Sequence, residues 1–203
     1  MKNNPIKLIG LLILLALVLW LGFATTGHPS VLKPERDAPP AVLFDNVRII
    51  SMVRGAPETE VEQAVLVVGD TVSEVGPAGS IHPPLDAVEI NATGMTLIPG
   101  LIDAHVHLWD EAELAGYLAY GVTGIRNLSG MPFHLPLARR IQNNTLLGPD
   151  LVSTGPILNS AGANQQGNHQ LVETTDEASR AVQATYAAGY RLVKVYSNIH
   201  REL

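Results

Sequence analysis

Cysteine is absent from the 203 residues, which excludes disulfides, thiolate metal sites and a lipid-modified cysteine. A basic surplus is missing too. Thirteen lysines and arginines stand against 19 aspartates and glutamates, for a formal net charge of −6, so no electrostatic footprint for nucleic acid exists. The remaining composition, 46% hydrophobic, is ordinary for a soluble domain joined to one apolar segment.

That segment runs from Leu8 to Ala24 without a charged residue and follows Lys2 and Lys7. A signal peptide has a basic start, a short apolar core and small residues before the cut; Gly22 and Ala24 supply the small pair. A spanning helix needs about 20 apolar residues, and this run is near the lower limit. Residues 1–24 therefore read as an N-terminal apolar helix serving as signal peptide or membrane anchor. In both cases the lysines stay inside, and the rest is exported to the periplasmic or extracellular side, secreted or held at the inner membrane through residues 8–24. Pro29, Pro34, Pro39 and Pro40 then mark residues 25–40 as an extended linker.

From Ala41 the period shortens. Val42–Phe44, Val47–Ile50, Ala64–Val68, Thr71–Val75, Val88–Asn91 and Met95–Ile98 read as strands, with Gly69-Asp70 and Gly76-Pro77 as turns. They predict part of a small β-sandwich over residues 41–97. Beyond it, strands alternate with helices. Helices are expected at Glu111–Tyr120, Leu135–Leu146 and from a Thr174/Glu177 capping box to Ala188. Strands are expected at Thr123–Leu128, Leu151–Thr154 and Arg191–Tyr196, with a long polar loop over Asn159–Gln170. Such alternation predicts a parallel sheet and an α/β fold. Leu114, Leu118, Ile141 and Val182 are expected in the helix core.

The chemistry concentrates in Ile98-Pro99-Gly100-Leu101-Ile102-Asp103-Ala104-His105-Val106-His107. Side chains alternate along a strand, so His105 and His107 are expected on one face with Asp103 below them. Two neighbouring imidazoles can grip one transition metal. The plainer alternative is a strand whose two histidines hydrogen-bond to loops. This ten-residue run closely resembles the first-strand signature of the amidohydrolase superfamily, metal-dependent hydrolases built on a (β/α)8 TIM barrel. The resemblance implies that His105 and His107 ligate metal; Asp103 also belongs to the family pattern, and its position marks it as a supporting or structural carboxylate rather than a ligand. A complete barrel takes roughly 250 residues, whereas 106 remain from Ile98 onward. The expected fold is therefore the N-terminal half of that barrel, residues 98–203, preceded by part of a β-sandwich.

Lys194 sits in the otherwise apolar run Leu192-Val193-Lys194-Val195-Tyr196, where an ammonium group is costly unless paired or neutralised. It reads either as a lysine snorkelling to the rim or as a nucleophile after losing its proton. The family resemblance implies the second: a fourth-strand lysine that becomes a carbamate (N6-carboxylysine) and bridges two metals. The cofactor implied is a divalent metal, Zn2+ by preference, one or two per complete site. The eighth-strand aspartate that moves the proton in the family has no counterpart here, so no catalytic residue is assigned.

Lesser candidates lie nearby. Trp109 can line a pocket or pack. His169, in the polar loop, can touch substrate or be solvated; the family's glycine-rich histidine run is replaced by Ser160–Asn164. Arg126-Asn127 stands where relatives often carry Arg-Asp. His28, His82 and His134 are expected in exposed loops, and His200 in a loop or early helix. The resemblance implies a hydrolase of small molecules that cleaves C–N bonds other than standard interior peptide bonds (amides, cyclic amides or dipeptide-like substrates) using water activated by metal, within the broad imidazolonepropionase-like and Xaa-Pro dipeptidase-like group. The competing expectation is a truncated or degenerate half-barrel that at best binds metal, or one that needs a second chain or an oligomer to complete it.

Overall fold

Alternating β-branched and aliphatic residues build a first sheet in the computed structural model, which describes residues 40–202. Its strands are β1 (Ala41–Ile49), β2 (Glu60–Val68), β3 (Thr71–Pro77), β4 (Val88–Asn91) and β5 (Thr96–Leu97). The order is β3-β2-β1-β4, with β5 beside the far end of β1. β1–β2 and β2–β3 are antiparallel, while β4 and β5 run parallel to β1. The two runs expected at Val42–Phe44 and Val47–Ile50 form one strand. It bulges between Phe44 and Val47, where Asn46 adopts φ 57°, a conformation that asparagine tolerates better than most residues.

Strand alternation sends apolar groups to both faces of this sheet. Ala41, Leu43, Ala64, Leu66 and Ile81 form one cluster. Val47, Val65 and Ala92 form another, joined by Phe44 and Val67. Residues 41–97, where part of a sandwich is expected, form one sheet with apolar clusters on both sides.

The second sheet is parallel and carries helices in its connections. Its elements are β6 (Leu101–Val106), α1 (Glu113–Ala119), β7 (Val122–Asn127), α2 (His134–Gln142), β8 (Asp150–Asn159), β9 (His169–Leu171), α3 (Thr175–Ala187) and β10 (Leu192–Val195). The strand order is β10-β8-β7-β6, and every pair is parallel. This is the α/β half-barrel that the sequence pattern predicts.

Two features of it differ from expectation. β8 extends to Asn159 because Pro156, Ile157 and Leu158 continue the apolar run, and it pairs with β10 as far as Leu158. β9 begins within the expected polar loop and pairs with the last three residues of β8. Two buried polar residues anchor that loop. Asn159 accepts a hydrogen bond from Asn198 N (3.0 Å), and Ser160 Oγ donates to Val172 O (2.7 Å).

The helices cover one side of the half-barrel. Leu114 of α1 and Leu137 and Ile141 of α2 are buried, as are Ile125 and Leu151 of the strands beneath. α3 begins at the expected capping box: Thr174 Oγ1 accepts from Glu177 N, and the Glu177 carboxylate accepts from Thr174 N. That exposed carboxyl is held below its ordinary range, first by the Glu173 N–H that it also accepts. α3 buries Ala181 and Thr185, whereas Val182, expected in the core, is largely exposed. Among the described residues no helix is long and apolar enough to cross a membrane. The apolar run Leu8–Ala24 and most of the proline-rich linker lie outside the described residues.

Candidate metal centre

Val106 and Leu108 are buried on the helix side of β6 and its extension, at 5% and 0% exposure. Alternation turns His105 and His107 to the opposite side. Their rings lie 5.6 Å apart between centroids and are tilted by 31°. On the fourth barrel strand, Leu192 lines the same open inner cleft as Ile102, Ala104, Gly124 and Arg126. Lys194, two residues further along, shares that face.

The electrostatics join the two ends of the sheet. Burial pushes the His107 imidazole below its ordinary pKa, and the charges of His105 and Lys194 push it the same way. β7 and β8 stand between the strands of His107 and Lys194. The depressed pKa favours neutral imidazole, the form that binds metal.

Asp103 departs from the expected arrangement. A register shift between Asp103 and Val106 interrupts simple alternation. The Asp103 carboxylate accepts the backbone N–H of His105 at 3.1 Å, and its charge adds to the burial that raises the Tyr117 hydroxyl on α1. Asp103 therefore steadies the chain before the histidines from the helix side rather than sitting below them.

Trp109 continues the stripe. Its ring stacks on His107 with centroids 6.3 Å apart, and it is 55% exposed. It forms an outer wall beside the pair rather than a packed core residue. The Glu113 carboxylate accepts the backbone N–H groups of both Trp109 and Asp110 at 3.1 Å, which fixes the turn after the histidines.

His169 lies near Lys194 through an aromatic intermediary. Its ring meets Tyr196 edge-on with centroids 4.9 Å apart, and Lys194 Nζ is 5.9 Å from the same ring's centre. His169 Nδ1 faces Asn159 Nδ2 at 3.1 Å and Gln166 N at 3.3 Å, so the proton belongs on Nε2. That Nε2 is buried and has no hydrogen-bond partner.

The sequence pattern misassigned one histidine altogether. His134, expected in an exposed loop, is 0% exposed and opens α2. Its Nδ1 accepts from Met131 N at 2.9 Å, and its Nε2 lies 2.8 Å from Leu108 O. Asn127 stands beside it, also 0% exposed. No local signal marks either residue, because the Leu108 carbonyl is 26 residues away in sequence.

The donor set fits a divalent metal in part. Two imidazole nitrogens suit zinc, and catalytic zinc sites take about three protein ligands. Lys194 as an ammonium would repel the ion, whereas as a carbamate it would supply oxygen. Among the described residues no group of three or more His, Cys, Asp or Glu side chains gathers.

No family model matches the chain. It is 31% identical over 163 residues to an adenine deaminase of Klebsiella pneumoniae subsp. pneumoniae, a match covering 68% of this chain and 25% of that protein. Among solved structures it resembles bottromycin amidohydrolase, with TM-score 0.68 and 26% identity over 89% of this chain and 39% of the other. It also shares the fold of a prolidase structure from Bifidobacterium longum, with TM-score 0.67 and 24% identity over 80% of this chain and 42% of the other. The chain thus spans about a quarter of the curated relative and about two fifths of each structure. A parallel half-barrel whose first strand ends in the His105–His107 pair, matched by relatives of this kind, shows that the chain belongs to the amidohydrolase superfamily.

Proposed function

We propose that the protein is a metal-dependent hydrolase of C–N bonds other than interior peptide bonds, acting on a small amide, cyclic amide or dipeptide-like substrate. The observation that carries this reading is the His105–His107 pair, whose rings lie 5.6 Å apart at the end of the first barrel strand. The relatives' names agree in class, being a deaminase and an amidohydrolase.

His105 and His107 would hold a divalent metal, zinc by preference, through neutral imidazoles. When bound, such an ion acidifies water and polarises a carbonyl oxygen. Lys194, once deprotonated, would add its Nζ to carbon dioxide, forming an N–C bond and releasing a proton, so that the resulting carbamate offers oxygens to one or two ions. Trp109 would shield one flank of the substrate. His169, in the segment that follows β8, would contact the substrate. Export with cleavage or retention of residues 1–24 is the location we propose, supported by Lys2, Lys7 and the apolar run that follows.

The test is release of amine or ammonia by the zinc-loaded protein from a panel of N-acyl amino acids, cyclic amides, Xaa-Pro dipeptides and aminopurines. At least one class should be hydrolysed, and chelation or His107→Asn should abolish the activity. Hydrolysis that survives both treatments would refute the metal-dependent reading.

A further inference from the structure

Asn127, the last residue of β7, and His134, the first of α2, are buried behind the sheet, and between them they hold the backbone that follows His107. Asn127 Oδ1 accepts the Leu108 N–H at 3.0 Å. The His134 Nε2–H donates to the Leu108 carbonyl at 2.8 Å. On the other side of His107, Leu128 N donates to Val106 O at 2.9 Å. Both peptide groups flanking His107 are thereby tied to Asn127 and Leu128 at the end of β7, and the next carbonyl to α2, so a main-chain rotation that re-aimed the imidazole would break at least one of these bonds.

The pair is itself fixed. Asn127 Nδ2 lies 2.9 Å from Ser153 Oγ and 3.2 Å from His134 Nδ1, and His134 Nδ1 also accepts Met131 N. An Asn127 flip would set its NH2 against the Leu108 N–H. The other His134 tautomer would set Nδ1–H against two donors. Only one orientation of each side chain satisfies the network.

We propose that Asn127 and His134 are positioning residues for the His105–His107 pair, presetting the direction of His107 toward a bound metal. The inference rests on the proposal that these histidines are ligands. A buried clamp with purely structural work could hold any turn. This one holds both the N–H and the carbonyl of Leu108, the residue directly after the second histidine.

The test measures the zinc dissociation constant of the chain by competition with a chromophoric chelator, under conditions where circular dichroism shows every variant folded. Asn127→Ala should weaken zinc binding about tenfold or more, the size expected on losing a residue that orients a ligand. His134→Gln, which keeps a side-chain donor, should weaken it less, by about threefold, and serves if Asn127→Ala does not fold. Leu151→Ala, a buried apolar truncation in β8, is the control and should leave affinity unchanged while lowering stability. Unchanged affinity in both clamp variants, or an equal loss in Leu151→Ala, overturns the positioning role. Zinc affinity that is indifferent to His107→Asn removes the ligand proposal itself, and the positioning role falls with it.

Discussion

Replacing His134 with leucine keeps most of the side-chain volume and removes the hydrogen bonds. Two main-chain groups then lose their partners, the buried Leu108 carbonyl and the part-buried Met131 N–H. Each orphaned group costs about 1–3 kcal/mol, so His134→Leu should destabilise the fold by about 2–6 kcal/mol near neutral pH. Whole domains are stable by only about 5–15 kcal/mol, so the upper end of that range would leave the chain close to unfolding.

The loss should also depend on pH, with a definite sign. Burial lowers the His134 pKa from its ordinary 6.5, and the bond to the Leu108 carbonyl offsets part of that. As pH falls below 6.5 the unfolded chain takes up this proton first, while the folded chain, with Nδ1 already facing two donors, resists it. The parent therefore loses stability through this window, at no more than about 1.4 kcal/mol per pH unit, until the folded-state pKa is reached. His134→Leu lacks that contribution, so the gap between parent and variant should narrow in acid. Urea unfolding followed by far-UV circular dichroism, at about pH 7.5 and about pH 5, reads both effects. A loss below about 1 kcal/mol at the higher pH, or parallel acid slopes in the two proteins, would refute the clamp.

Two other outcomes follow from the same geometry. Lys194→Ala should lose bound metal, with partial restoration by added short carboxylic acids that stand in for the carbamate; unchanged metal content would contradict the carbamate. Gly130→Ala would place its Cβ 2.0 Å from the Thr154 carbonyl oxygen, a main-chain atom that cannot rotate away, so it should cost about 3 kcal/mol or more, whereas Gly167→Ala, with nothing within 4 Å, should change the thermal midpoint little.

Local chemistry was legible in the sequence where neighbours in the chain are also neighbours in space. The His-X-His spacing, the Thr174–Glu177 capping box and the lysine within an apolar strand are all contained in short windows, and the α/β alternation follows from the same kind of pattern. Asn127 and His134 were not legible, because their meaning comes from Leu108, which a crossover connection brings beside them. Asp103 was assigned by simple alternation, and a register shift in β6 displaced it. The end of β8 was missed because the polar sequence beyond Leu158 resembles a loop; buried Asn159 and Ser160 supply the bonds that a solvated loop would take from water.

The central claim is that His105 and His107 bind one metal together. X-ray absorption at the zinc edge of the zinc-loaded chain addresses it directly. Imidazole nitrogens are expected at about 2.0–2.1 Å with outer-shell scattering from two rings, one ring lost in His105→Asn and one in His107→Asn. A spectrum unchanged by either substitution would place the metal elsewhere and contradict the account.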